Sequence, residues 1–291
     1  MKKEFQVLVA DSGTASEVID TIDESQFVLA GEHATSIWNF FELYSGYWIF
    51  RSNIDAYFKY INSDNSKLLL SPSLSEVERE VAMIELNRLF INMLSSFRSF
   101  IDHAETKVTR LPEGAELLKR LKTAQAKEYD ENIFYGLFWE LRNFSQHCAL
   151  PINSYSIEIK KSKNGLRFKG NIVSRIGCRH LLEHSDKWKP HLKEWLARNE
   201  YIEVEKIVLS VKKSILNIQS VILERDSQKI QEAVEFLTSF KETRDISNKS
   251  VSLFYSEDGK VKKVISISPY KLLVAKTFLS EKTPLDLKEE D

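Results

Sequence analysis

SEVEREVAMIELNRLFINMLSSFRSFIDHA, residues 75–104, decides the fold class. An acidic turn, Glu76, Glu78 and Glu80, follows Ser73 or Ser75, which suits a helix N-terminus. Ile84, Leu89, Ile91, Leu94, Phe97 and Ile101 then mark an apolar face. A helix of roughly 30 residues is long for a globular protein and points to a bundle. Upstream, Trp38, Phe41, Tyr44 and Tyr47 or Trp48 recur at helical steps, so a second buried helix is expected over 36–61. Downstream, helices are expected near 113–127 and 131–148, the latter ended by Leu150-Pro151. The period then changes to two. Tyr155, Ile157 and Ile159 alternate with polar residues, Asn164-Gly165 is a strong hairpin turn, and Leu166, Phe168 and Ile172 form the return strand. Further helices are expected over 191–198, 204–223 and 228–240. A second hairpin is expected over 252–268 around Asp258-Gly259, with a charged, frayed tail after it.

These signals predict a mainly α chain with two added β-hairpins, α+β overall. The expected division is a mostly helical segment 1–72, a helical bundle 73–245 with the inserted hairpin 154–173, and a C-terminal hairpin and tail 246–291. Composition agrees. In 291 residues, 43% are hydrophobic and 11% aromatic, which excludes global disorder, and 9 Gly with 6 Pro argue against an all-β protein. Two cysteines exclude a disulfide scaffold. The apolar run after Lys2-Lys3 is too short for a signal peptide, and no segment is apolar enough for a membrane span. A cytoplasmic protein with no membrane partner is expected, and Asn143-Phe-Ser and Asn248-Lys-Ser would then meet no glycosylation machinery.

Charge is balanced overall at -1 but uneven along the chain. Residues 156–198 hold 11 Lys and Arg against 4 Asp and Glu, whereas residues 1–36 hold 2 against 7. A basic block of this kind suits a polyanion. Lysines that protect a hairpin edge from aggregation would give the same count. On the polyanion reading, Lys160, Lys161, Lys163, Arg167 and Lys169 hold an RNA backbone.

Two motifs carry chemistry. In FWELRNFSQHCALPI, Arg142 precedes His147 by five residues and Asn143 precedes it by four. The same Arg–His spacing occurs at Arg98–His103, Arg175–His180 and Arg179–His184, but asparagine follows the arginine only at Arg142. A histidine that titrates near neutrality can move the proton of an RNA 2′-hydroxyl, an arginine fork can hold a phosphate as charge builds on it, and the asparagine can orient the imidazole. The structural alternative is that Arg142 pairs with a helix neighbour and His147 supports a helix C-terminus. On an ideal helix Arg142 and His147 point about 140° apart and Asn143 and His147 about 40° apart, so one regular helix does not aim both at one phosphate. Either the helix unwinds before Pro151 or a second copy completes the site across a two-fold axis. Cys148 reads as a buried small residue. The second motif, His180-Leu-Leu-Glu183-His184, has the order of the inverzincin zinc peptidases, and Cys178 or His191 could extend it. The segment is short and its third ligand is unplaced, so no metal and no cofactor is expected.

The Arg-Asn-x-x-x-His motif near a helix end, with QHCALPI after it and NRLFINMLSSFRSFIDHAE upstream, resembles the HEPN domain family over roughly residues 75–223. The resemblance implies a HEPN-like bundle that dimerises and acts as a metal-independent endoribonuclease of toxin, abortive-infection or phage-defence systems. It implies Arg142 and His147 as the catalytic pair and Asn143 as the accessory residue. RNA, a second copy of the chain and an antitoxin or defence-system protein are the expected partners. The alternative it leaves open is a non-catalytic module that binds nucleotides or a protein partner.

Overall fold

A computed structural model describes residues 2–10, 16–62, 75–111, 114–161 and 168–280. The chain is mainly helical, with two small antiparallel sheets. Along the chain come β1 (Lys3–Ala10), β2 (Ser16–Thr21), α1 (Glu24–Ile61), α2 (Glu76–Thr109), α3 (Gly114–Glu131) and α4 (Ile133–His147). There follow β3 (Ser154–Lys161), β4 (Phe168–Gly177), α5 (Cys178–His184), α6 (Pro190–Arg198), β5 (Tyr201–Glu203), α7 (Val204–Glu242), β6 (Val251–Glu257), β7 (Lys260–Ile267) and α8 (Pro269–Ser280). Two compact units result: residues 1–44 with 223–291, and residues 45–222. The division therefore falls elsewhere than at 72/73 and 245/246, and α1 and α7 each supply residues to both units.

The reason lies in the first unit. Phe5, Val7 and Val9 alternate inward with the period of a strand, so the mostly helical segment 1–72 opens with a β-hairpin, β1 and β2, ahead of α1. Its β1 pairs antiparallel with β6, with Phe5 opposite Tyr255 and Val7 opposite Leu253, giving the sheet order β2-β1-β6-β7. Phe27, Ile37 and Phe40 of α1 and Ile230, Val234 and Leu237 of α7 bury against this sheet. The β6–β7 turn is the expected Asp258-Gly259, at φ 48° and 76°. Both residues are left-handed, as a two-residue hairpin loop demands, and Gly259 meets no steric penalty there.

The second unit is built on rings. Phe97 of α2 lies 6.0 Å from Phe50 of α1 and 5.1 and 5.5 Å from Phe138 and Tyr135 of α4. Tilted and edge-on pairs of this kind put the positive ring edge on a neighbour's negative face. Ser75 caps α2 with a reciprocal box: its hydroxyl accepts from Glu78 N, and the Glu78 carboxylate accepts from Ser75 N at 2.9 Å. A three-stranded sheet of order β3-β4-β5 joins the bundle. Where α1, β4 and α7 meet, the Glu205 carboxylate accepts from the Tyr57 hydroxyl at 3.0 Å and from Ser174 N at 3.3 Å. Burial raises the Glu205 pKa above the usual carboxylate range.

Several expectations need correction. Helix α1 begins at Glu24, and its buried stripe is Ile37, Phe40, Tyr47, Phe50, Ile54 and Tyr57. Trp38 and Trp48 are exposed; Trp38 donates to Glu42 at 2.9 Å and packs under the Lys271 ammonium. Ile84 of α2 is also exposed. The helices expected over 204–223 and 228–240 are one, since Glu224-Arg225-Asp226-Ser227 is polar but holds no glycine or proline to break it. The Asn164-Gly165 turn and the charged tail lie outside the described residues.

Candidate functional site

Helix α4 positions the Arg-Asn-x-x-x-His motif. Asn132 caps its start, accepting from Phe134 N and donating to Ser214 Oγ at 2.9 Å. Leu137, Phe138, Leu141 and Phe144 bury its inner face completely or nearly so. The helix stays wound through its last residue, His147, and Cys148 N still donates to Phe144 O at 2.9 Å. Unwinding before Pro151 therefore begins only after His147 and leaves Arg142 and His147 on one regular helix.

Asn143 and His147 are exposed and Arg142 is half-buried. Setting Arg142 at 0° around the axis puts Asn143 near 100° and His147 near 140°, with the apolar residues on the remaining arc. Arg142 Nη1 donates to Asn143 Oδ1 at 3.3 Å, so the long side chain leans across the open arc toward the histidine side. Its Nε is buried and has no hydrogen-bond partner. Asn143 thus engages Arg142, and among the described residues no hydrogen bond joins it to His147; the orienting role expected for it falls on the arginine instead.

The far wall comes from the turn after α5. Asn143, His147 and Cys148 share a cleft of about 60 Å³ with Ser185, Lys187 and Trp188. Trp188 is fixed by its indole N–H, which donates to Leu181 O at 3.1 Å, and by Phe144, 5.8 Å away. Lys187 is an exposed cation that lines the same cleft as His147 and that the spacing of the motif does not reveal. The signal was present in the basic block, in Lys187-Trp188-Lys189. Cys148 is exposed rather than buried, because it follows the last helical turn and faces this cleft.

The segment after α4 is strapped down. Asn87 of α2, only 2% exposed, accepts from Ile152 N at 2.9 Å and donates to Ile152 O at 2.8 Å and Met83 O at 3.1 Å. Two residues earlier in the chain, Leu150 O meets His180 Nε2 at 3.0 Å.

That contact decides how the second motif is used. His180 Nε2 is committed to Leu150 O, His184 Nδ1 lies 2.9 Å from His180 O, and Glu183 pairs with Arg179 at 2.7 Å. The imidazoles therefore bond backbone carbonyls, and among the described residues no three His, Cys, Asp or Glu side chains gather as a metal site. Cys178 is fully buried, and burial pushes its thiol pKa up to about 11.

Of the residues assigned to an RNA backbone, Lys163 and Arg167 lie outside the described residues. Lys160 and Lys161 sit on β3 and Lys169 on β4. No helix among the described residues is long and apolar enough to cross a membrane. Compared with family models, with curated proteins and with solved structures, the chain matches none.

Proposed function

We propose that this chain is a metal-independent endoribonuclease of the HEPN type, acting in toxin or phage-defence biology as a dimer. The observation that carries the reading is the exposed His147, in one cleft with Lys187 and with the Asn143 that accepts from Arg142. Neutral His147 accepts the proton of an RNA 2′-hydroxyl as that oxygen attacks the adjacent phosphorus. Charge builds on the phosphoryl oxygens, and the Arg142 guanidinium and the Lys187 ammonium stabilise it. The bond to the 5′-oxygen breaks, and that oxygen takes a proton from the imidazolium of a second copy. A 2′,3′-cyclic phosphate and a 5′-hydroxyl result. A cleft of about 60 Å³ is too small to enclose a nucleotide, which supports a site completed by a second copy's α4.

The test is cleavage of RNA in EDTA by the purified chain and by Arg142→Ala, His147→Ala and Lys187→Ala proteins. Loss of about 10²-fold or more is expected for His147→Ala and Arg142→Ala, with DNA left intact and cyclic phosphate ends on the RNA. Undiminished cleavage by both variants, or a monomer that cleaves at full rate, overturns the proposal.

A further inference from the structure

The sheet of order β3-β4-β5 ends at β5, and the register there fixes which backbone groups are left over. Arg175, Ile176 and Gly177 of β4 lie opposite Glu203, Ile202 and Tyr201, and Cys178 N donates to Glu200 O at 3.0 Å. Bonded pairs alternate along an antiparallel ladder. Glu200 and Ile202 therefore turn their backbone groups toward β4, and Tyr201 and Glu203 turn theirs away from it. The residues opposite agree: Gly177 N donates to Asn153 Oδ1 at 2.8 Å and Arg175 O accepts from Asn153 N at 3.3 Å, so neither group serves β5. The Tyr201 N–H and C=O and the Glu203 N–H face outward, and among the described residues no hydrogen bond takes them.

A groove of about 320 Å³ lies along this edge, lined without a gap by Asn199 through Glu203. Side chains of a strand alternate between its faces, so an unbroken run marks the edge of the strand, and β4 already holds the other edge. The apolar part of the lining is Phe134 of α4 and Trp195 of α6, two half-buried rings 5.9 Å apart and edge-on. Charge selects the occupant. Glu203 pairs with Lys206 at 2.9 Å, whereas Glu200 is exposed and has no ion pair among the described residues. An RNA strand would set its phosphates against these carboxylates, and a second copy of β5 would set the same carboxylates against each other.

We propose that the outer edge of β5 takes an extended, lysine-bearing segment of a partner protein as an added antiparallel strand, with an apolar side chain on Phe134 and Trp195 and a lysine at Glu200. Open main-chain donors and acceptors are complemented by another extended backbone, and the groove beside them chooses its side chains. The residue opposite Tyr201 donates its N–H to the Tyr201 C=O and accepts from the Tyr201 N–H. This surface stands apart from the His147 cleft and independently of RNA cleavage.

The probes are acetylated, amidated peptides of lysine, valine, X, valine and lysine, with X valine, leucine or phenylalanine. They are titrated into the full chain and followed by amide resonances and by calorimetry. At least one binds at about 1 mM or tighter and moves the Tyr201 and Glu203 amides. Methylating its three central amide nitrogens removes every donor to the Tyr201 C=O and weakens it at least about tenfold, on the native protein. Glutamate in place of both lysines weakens it as much. Tyr201→Pro removes an outward N–H that the ladder to β4 does not use, and Glu200→Lys reverses an exposed charge; both lose the peptide while the thermal midpoint stays near the native one. No binding at millimolar peptide, equal binding of the methylated or glutamate peptides, or undiminished affinity in both variants overturns the proposal. So does an RNA oligonucleotide that moves the same amides at lower concentration than the peptide.

Discussion

Replacing Asn87 by leucine removes one side chain of nearly the same volume and leaves two buried backbone groups alone. In the native protein Asn87 exchanges a pair of hydrogen bonds with Ile152, at 2.9 and 2.8 Å, and both residues are 2% exposed. Leucine fills the space, so no cavity term enters, but Ile152 N–H and C=O then stay buried without partners. Each orphaned group costs about 1–3 kcal/mol, so a loss of about 3–4 kcal/mol is expected for the second unit. Four of the five tryptophans, Trp48, Trp139, Trp188 and Trp195, belong to that unit, so tryptophan emission in a urea titration follows mainly its unfolding. The midpoint should fall with the slope retained. Asn53→Ala, which removes partly exposed bonds to Ser96 Oγ and Ile49 O, should cost no more than about 1 kcal/mol. A loss below about 1 kcal/mol for Asn87→Leu would show that the strap does not hold this segment.

Ser75→Ala deletes the reciprocal cap of α2 and should cost about 1 kcal/mol, read from the same titration; no change would mean that Glu78 alone serves the helix end. Ellman's reagent should react quickly with one thiol, the exposed Cys148, and with the second only after denaturation, since Cys178 is buried with its pKa at about 11. Two fast thiols would contradict that burial. Glu205 has a raised pKa in the folded state, so its proton is held longer there than in the unfolded chain. The stability this contributes is complete below the unfolded carboxylate value and is lost as pH rises through the folded one. Glu205→Gln should flatten that part of the stability–pH curve; an unaltered curve would refute the assignment.

Local chemistry made much of the fold legible. Asp258-Gly259 marks its turn because both residues tolerate positive φ, and Leu94, Phe97 and Ile101 mark the inner face of α2 through their spacing. What escaped depended on distant partners. Phe5, Val7 and Val9 alternate visibly, yet the strand they meet lies near the other end of the sequence. Trp38 and Trp48 have helical spacing but sit one position off the buried stripe, which spacing alone does not reveal. In the candidate site, the motif gave Arg142, Asn143 and His147, but an ideal-helix projection ignores how far a guanidinium can lean. Lys187 was not legible as part of the site because it acquires its neighbours on α4 only when the segment after α5 packs against that helix.

The pairing of β1 with β6 also sets an order of assembly. Lys2 N and Asp258 Oδ1 bond across 256 residues, while the second unit is one unbroken stretch of chain, 45–222. During synthesis that stretch can collapse as soon as it leaves the ribosome, whereas β1 must wait, with a bare edge, until β6 emerges. A stalled or prematurely terminated message would therefore release a chain with its helical unit complete and one sticky strand, a substrate for chaperones or proteases.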